Sequence, residues 1–276
     1  MNNIPSGNVK NITSLSNPII KNFKALFLKK NREKQNLFVA EGLKIIIEAL
    51  ENNWEITNLL FTPNKNLSPL LDEVILKIKN QGALIISTTP QILSSISRRD
   101  NPQTVIGIIK RKIQNLTELN TNNNFNLLAL DRIKDPGNLG TIIRTADAVG
   151  LKNICLLGDC TDPFAIETVR ASMGSIFAVN IFKSELDNFI TWQKNFNGQT
   201  IGTYLKGALD FRKVNYYDKN NLLIMGNEQQ GICDKLLNIC DKLIKIPQQG
   251  RADSLNLSVA TALALYEIYR KQLTLD

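Results

Sequence analysis

Residues 246–267 read IPQQGRADSLNLSVATALALYE, an apolar strand end, a polar loop and an amphipathic helix in one short span. After Asn256 the positions Leu257, Ala260, Thr261, Ala264, Leu265 and Ile268 follow the three-and-four spacing of one helical face, which predicts a helix beginning near Ser254. Asp253 and Ser254 are both N-capping residue types. Pro247 and Gly250 mark the segment before them as a turn or loop. A strand ending at Ile246 therefore feeds polar groups toward a helix N-terminus, where backbone N–H groups are unpaired. An ordinary capped surface helix has the same local pattern, so the reading turns on what lies upstream.

Upstream, apolar runs alternate with helical stretches. From residue 125 the runs are NLLALD (126–131), NICLLG (153–158), FAVNIF (177–182), QTIGTYL (199–205), NLLIMG (221–226) and KLIKIP (242–247). The stretches between them are about as long as a crossover between parallel strands requires, so the pattern predicts an α/β domain with a mostly parallel sheet. In such sheets ligands bind beyond the carboxyl ends of the strands. A second alternation precedes it: LFVAEG (37–42), helical LKIIIEALENN (43–53), ITNLLFTP (56–63), helical SPLLDEVILKIKNQG (68–82), ALIIST (83–88), helical TPQILSSIS (89–97) and TVIGIIK (104–110). This predicts a smaller N-terminal α/β domain over residues 17–113, opened by a basic, roughly helical stretch at 17–34. Residues 1–16 are polar and aperiodic and read as a loose tail. The asparagine-rich 114–124 reads as a linker, leaving 125–276 as the second domain.

Composition narrows the chemistry. The 276 residues are 43% apolar and 21% charged, a globular balance, and the net charge of +8 favours an anionic partner, nucleic acid first. No run approaches the roughly 18 apolar residues of a membrane span, and the first residues lack a signal-peptide core, so a cytosolic protein without membrane attachment is expected. There is no histidine, which removes Ser-His-Asp and Cys-His catalysis. The cysteines at 155, 160, 233 and 240 fit neither zinc nor redox spacing, so reduced thiols and no metal site are expected.

Three polar clusters follow strands: residues 131–147, beginning Asp131-Arg132-Ile133-Lys134-Asp135; residues 225–231, Met225 to Gly231; and the stretch at 246–267. Neither G-x-G-x-x-G after a strand nor G-x-x-x-x-G-K-[ST] occurs, which disfavours dinucleotide-binding and P-loop domains.

Taken in order, DPGNLGTIIRTADAVG (135–150), IMGNEQQGI (224–232) and IPQQGRADSLNLSVATALALYE (246–267) resemble the three motifs of the SpoU (TrmH-like) RNA ribose methyltransferases of the SPOUT class. The segment REKQNLFVAEGLKIIIEAL (32–50) is similar to that family's N-terminal substrate-binding domain. The resemblance implies transfer of a methyl group from S-adenosylmethionine to a ribose 2′-hydroxyl. It also implies a trefoil knot made by the stretch from Met225 to Asn256, and a homodimer whose site is completed across the interface. Ribosomal RNA is expected ahead of transfer RNA, because the added N-terminal domain suits a larger substrate. A catalytically inactive RNA-binding or ribosome-assembly protein is the alternative, and a methylation conferring antibiotic resistance would carry the same motifs.

Residue roles carried by the resemblance are as follows. Arg144 matches the family's catalytic arginine; because a guanidinium stays protonated, clamping a phosphate and stabilising charge suit it better than acting as a base. Asn138 would fix the first motif's loop, or simply cap the helix. Glu228 would brace the second motif's loop or bind substrate, beside Asn227. Ser254 and Asn256 would line the catalytic pocket. Thr203, Leu205, Gly226, Ile246 and Leu255 resemble the family's cofactor contacts, with glycine at 226 permitting close approach. In the first domain Lys29, Lys30, Arg32, Arg98 and Arg99 are the candidate RNA contacts.

Overall fold

The computed structural model describes residues 9–63, 69–119, 126–206, 208–216 and 220–273, and the chain divides into two compact units. The first comprises Met1–Arg111 together with Phe164–Phe177; the second comprises Lys112–Pro163 and Ala178–Asp276.

In the first unit the elements are β1 (Val9–Ile12), α1 (Pro18–Ala25), α2 (Lys29–Gln35), β2 (Leu37–Glu41), α3 (Leu43–Glu51), β3 (Ile56–Phe61), α4 (Pro69–Asn80), β4 (Leu84–Thr88), α5 (Pro90–Ser97) and β5 (Val105–Lys110). The sheet order is β1-β4-β3-β5-β2, with β4 parallel to β1 and β3, and β5 antiparallel to β3 and β2. Part of the expected tail is thus the edge strand β1. Val9 and Ile12 alone are too few to show a period, and Thr88 Oγ1 donates to Ile12 O at 2.7 Å to hold the strand end. Residues 1–8 lie outside the described residues. The single basic helix expected at 17–34 is two helices. Asn17 caps α1, accepting from Ile19 N at 2.9 Å, and α1 ends at Ala25. Arg32 then reaches back with Nη1 to Leu26 O at 2.8 Å and Phe27 O at 2.7 Å, satisfying carbonyls that a continuous helix would have used internally.

The second unit holds β6 (Gln114–Asn115), β7 (Leu127–Asp131), α6 (Pro136–Ala148) and β8 (Asn153–Leu157), after which α7 (Ile166–Ala171) belongs to the first unit. It continues with β9 (Asn180–Ser184), α8 (Leu186–Gln193), β10 (Gln199–Thr203), β11 (Leu209–Asp210), β12 (Asn221–Met225), α9 (Asp234–Leu237), β13 (Lys242–Lys245) and α10 (Leu257–Leu273). Among the described residues its eight strands run β11-β13-β10-β12-β7-β8-β9-β6, and every pairing of these strands is parallel. The expected linker contributes β6 to this sheet; residues 120–125 lie outside the described residues. The strand read as FAVNIF begins only at Asn180, because Phe177 turns into the core of the first unit.

The central strands β7 and β12 are buried along their whole length, which is why LLALD and NLLIM carry apolar residues at nearly every position rather than alternating ones. From β7 the chain builds outward through β8 and β9, while β10, β12 and β13 lie on β7's other side. The gap between the carboxyl ends of β7 and β12 is therefore the switch point at which open parallel sheets bind ligands.

Candidate functional site

Both sides of that gap belong to the second unit. β7 ends at Asp131 and leads into α6; β12 ends at Met225 and leads into a tight loop. Asp135, not Asn138, caps α6: its Oδ1 accepts from Asn138 N at 2.6 Å, with Pro136 in the first turn. The Asn138 side chain is thereby free to point across the gap. Its Nδ2 donates to Glu228 Oε1 at 3.3 Å, and its Oδ1 accepts from Asn256 Nδ2 at 3.0 Å. Glu228 also faces the amides of Lys134 and Asp135 at 3.4 Å each. One residue from each motif is thus joined in a single hydrogen-bonded chain, with a carboxylate facing the two amides that precede α6.

Asn256 is placed by its second job. Its Oδ1 accepts from Ser258 N at 2.9 Å and Ser258 Oγ at 2.6 Å, so Asn256 caps α10. The helix begins at Leu257 and not near Ser254, because Asn256 outcompetes Asp253 and Ser254 for the cap. Ser254 is exposed two residues earlier and is not joined to the chain of Asn138, Glu228 and Asn256. Arg144 is exposed on α6, six residues beyond Asn138, which is about 9 Å along a helix axis. Its side chain makes no hydrogen bond or ion pair among the described residues.

The second motif's loop folds on itself. Asn227 and Gly231 form an isolated antiparallel bridge, and Asn227 Oδ1 accepts from the amides of Gln229 and Gln230 at 2.9 and 3.1 Å. Gly226 is obligatory there: a Cβ at that position would stand 2.1 Å from the carbonyl carbon of Gly231 and 2.2 Å from Ile232 N.

Three of the five cofactor candidates fall at the same end of the sheet. Thr203 closes β10, Gly226 follows β12 and Ile246 follows β13, three strands that are neighbours in the order β13-β10-β12. Leu205 is 62% exposed and Leu255 is half-buried, so apolar side chains stand open beside main-chain groups. Such a set suits a neutral, flat, largely apolar group held by backbone contacts.

Of the RNA-contact candidates in the first unit, Lys29, Lys30, Arg98 and Arg99 are exposed. The guanidinium of Arg98 lies 3.1 Å from the centroid of the Phe27 ring, a cation–π contact that brings the end of α5 beside the start of α2. Arg32 is a correction. It is only 5% exposed and spends its guanidinium on the carbonyls of Leu26 and Phe27, so it is a structural residue and not a surface contact. Two residues that the sequence reading left without a role, Asp131 and Arg132, prove to sit at the base of both loops. Their only sequence signal was adjacency to the first motif.

No described helix is long and apolar enough to cross a membrane. Burial pushes the Cys240 thiol up to about 12, and it raises Cys160 and Cys155 as well, which makes these poor nucleophiles.

Comparison with known proteins bears on this geometry. The family model described as the SpoU rRNA methylase family matches residues 126–266, and the MRM3-like substrate-binding domain matches residues 17–107. A crystal structure of an AdoMet-bound rRNA methyltransferase from Sinorhizobium meliloti is 45% identical, covers 95% of this chain and 98% of its own, and superposes with a TM-score of 0.89. The SpoU methyltransferase AviRb from Streptomyces viridochromogenes is 26% identical over 94% of this chain and 98% of its own, with a TM-score of 0.83. The 23S rRNA (guanosine(2553)-2′-O)-methyltransferase RlmP of Bacillus subtilis is 28% identical, covering 94% of this chain and 99% of its own. With its three motifs joined at the switch point of a parallel sheet and more than half its length matched, the chain belongs to the SpoU rRNA methylase family.

Proposed function

We propose that the protein methylates a ribose 2′-hydroxyl of ribosomal RNA, using S-adenosylmethionine. The observation that carries this reading is the chain Glu228–Asn138–Asn256, which ties the three motifs together where a substrate would enter the sheet. The cofactor fits the strand ends already described: main-chain groups after β10, β12 and β13, apolar walls at Leu205 and Leu255, and a loop at Gly226 too tight to admit any side chain. Thr203, Leu205, Gly226, Ile246 and Leu255 would hold the adenosine. Bound there, S-adenosylmethionine supplies an electrophilic methyl group.

The protein's own part is positioning. Glu228, held over the Lys134 and Asp135 amides, fixes Asn138, and Asn138 fixes Asn256. Asn256 and the exposed Ser254 then border the space that receives the ribose. Orienting two reactants in this way is the largest contribution available to a displacement that needs little covalent help. Arg144, exposed and without an ion pair among the described residues, is suited to grip an RNA phosphate and to stabilise the oxygen as its proton leaves.

A homodimer accompanies this reading. Val259, Leu263, Tyr266 and Leu273 form an exposed apolar stripe along α10, with Val259 at 49% and Tyr266 at 51% exposure, more than a solvated helix face ordinarily carries. A second copy covering that face would let Arg144 of one chain serve a site completed by the other. In the first unit Lys29, Lys30, Arg98 and Arg99 offer phosphate contacts. The trefoil knot is assigned to residues 225–256, and a cytosolic location follows from the substrate.

The test is incubation of the protein and its Arg144→Ala variant with labelled S-adenosylmethionine and unmodified ribosomal or transfer RNA, followed by nucleoside analysis. Label is expected in a 2′-O-methyl nucleoside of ribosomal RNA, falling about 100-fold in the variant, the size of losing one charge-stabilising group. RNA binding without any transfer would replace this reading with that of a binding protein.

A further inference from the structure

We infer that Asp131 is a positioning residue that acts through Glu228; this rests on the methyl-transfer reading of the same site. Asp131 ends β7 with a side chain only 2% exposed, so its carboxylate must be fully partnered. Both oxygens are engaged. Oδ1 accepts from Arg132 Nε at 2.8 Å, while Oδ2 accepts from Arg132 Nη2 at 3.0 Å and from Cys233 N at 3.1 Å.

These bonds hold the loop that carries Glu228 at separate points, one directly and two through Arg132. The bond to Cys233 N pins the loop's far end. The two-pronged bond to the guanidinium holds Arg132, whose backbone sits in the left-handed region at φ 55°, a conformation a branched or long side chain adopts only when its surroundings enforce it. In that conformation Arg132 O accepts from Asn227 Nδ2 at 2.8 Å, and Arg132 Nη1 donates to Gln230 Oε1 at 2.9 Å. Asn227, Gln230 and Cys233 are thus all anchored, directly or through Arg132, to one buried carboxylate. Glu228 lies between the first two anchors. Its own bonds to Asn138 and to the Lys134 and Asp135 amides are 3.3 to 3.4 Å, too long to hold the loop in register unaided. The short contacts belong to Asp131 and Arg132, and the long ones belong to Glu228, which fixes Asn138.

A buried aspartate that merely satisfies a loop would affect stability alone, whereas one that sets Glu228 lowers kcat at saturating S-adenosylmethionine through Glu228; an effect through Gly226 would appear instead in the KM for S-adenosylmethionine. We therefore compare wild type, Asp131→Asn, Glu228→Gln and the double variant, measuring hydrogen exchange of residues 226–233, kcat and KM for a ribosomal RNA fragment, and melting temperature. In Asp131→Asn the amides of 226–233 are expected to exchange about tenfold faster, with the strands of the first unit unchanged. kcat is expected to fall roughly tenfold or more with KM for RNA within about twofold, and the double variant to be no slower than Glu228→Gln alone. Unchanged exchange at 226–233, faster exchange throughout the second unit, or a double variant whose loss is the product of the single losses would each overturn the inference. Should Asp131→Asn not fold, Arg132→Gln releases the partially exposed end of the same pair and leaves the Cys233 bond in place; exchange is then expected to rise at 227–230. A wild-type protein that transfers no methyl group would defeat the functional reading and the kinetic comparison with it, whereas methyl transfer with unchanged exchange at 226–233 in Asp131→Asn would defeat this inference alone.

Discussion

In the first unit the critical contacts are apolar and closed: Phe38 and Phe164 lie with ring centroids 4.7 Å apart, Trp54 and Phe177 5.2 Å apart, and Trp54 Nε1 donates to Phe177 O at 3.0 Å. The buried Glu41 beside them is closed by Arg170 Nε at 2.9 Å and Nη2 at 2.6 Å, and by Gln103 N at 2.9 Å. At the strand ends of the second unit the contacts that join the three motifs are instead polar, exposed and 3.0 to 3.4 Å long, and Arg144 is left open among the described residues. A surface that must receive a ligand keeps its bonding capacity in reserve, whereas a scaffold spends it internally. Three backbones that are hard to change, the left-handed Arg132, the Gly226 loop and the capped start of α10, supply the rigidity the open site lacks.

The contrast is sharpest where a large buried ring is deleted. Trp54→Ala should destabilise the first unit by about 3–5 kcal/mol, from lost burial plus the cavity left among Phe38, Phe164 and Phe177. A calorimetric loss below about 1 kcal/mol would mean that the aromatic cluster is not the anchor described. Gly226→Ala should cost about 1–3 kcal/mol as the Gly226 and Gly231 backbones are forced apart. It should also abolish S-adenosylmethionine binding in a titration; retained binding would separate the loop from the cofactor site. Asn256→Ala removes the cap of α10 and should lower stability by about 1 kcal/mol. Methyl transfer should fall further than that loss explains, because the bond to Asn138 goes with it.

The smallest effect belongs to a pair whose arginine is exposed. The Arg212 guanidinium beside Asp210 holds that carboxyl down at about 2, against an ordinary value of 3.8. Because the folded value is the lower one, the pair's contribution is present above pH 3.8 and is lost as pH falls through about 2. Arg212→Ala should leave the melting temperature at pH 7 nearly unchanged, as exposed ion pairs do. The small difference that remains at neutral pH should close as pH falls through about 2, and a large difference at neutral pH would contradict the exposure of Arg212.

Strands with dense apolar runs were legible because burial on both faces demands them: LLALD, NICLL and NLLIM stand where their composition placed them. What could not be read were short elements fixed by partners distant in sequence. VKNI has no period of its own and becomes a strand only against β4; QN in the asparagine-rich stretch becomes one only against β9. Nothing local to Phe164 or Phe177 says that they pack against Phe38 and Trp54, more than a hundred residues earlier. The site divides in the same way. Motif spacing pointed to Asn138, Glu228 and Asn256, which the fold joins, but both Asn138 and Ser254 looked equally like helix caps, and the caps proved to be Asp135 and Asn256. Arg32 looked like its basic neighbours, and only the turn after α1 distinguishes it.

The return of Phe164–Phe177 to the first unit makes the two units inseparable as pieces of gene. The polypeptide passes from one to the other three times, so no single cut yields both intact. A fragment ending at Arg111 would lack Phe164, Arg170 and Phe177 and would expose Phe38 and Trp54. A protein nicked at that junction, by contrast, should stay whole, its shorter piece held by a segment that the longer piece brings with it.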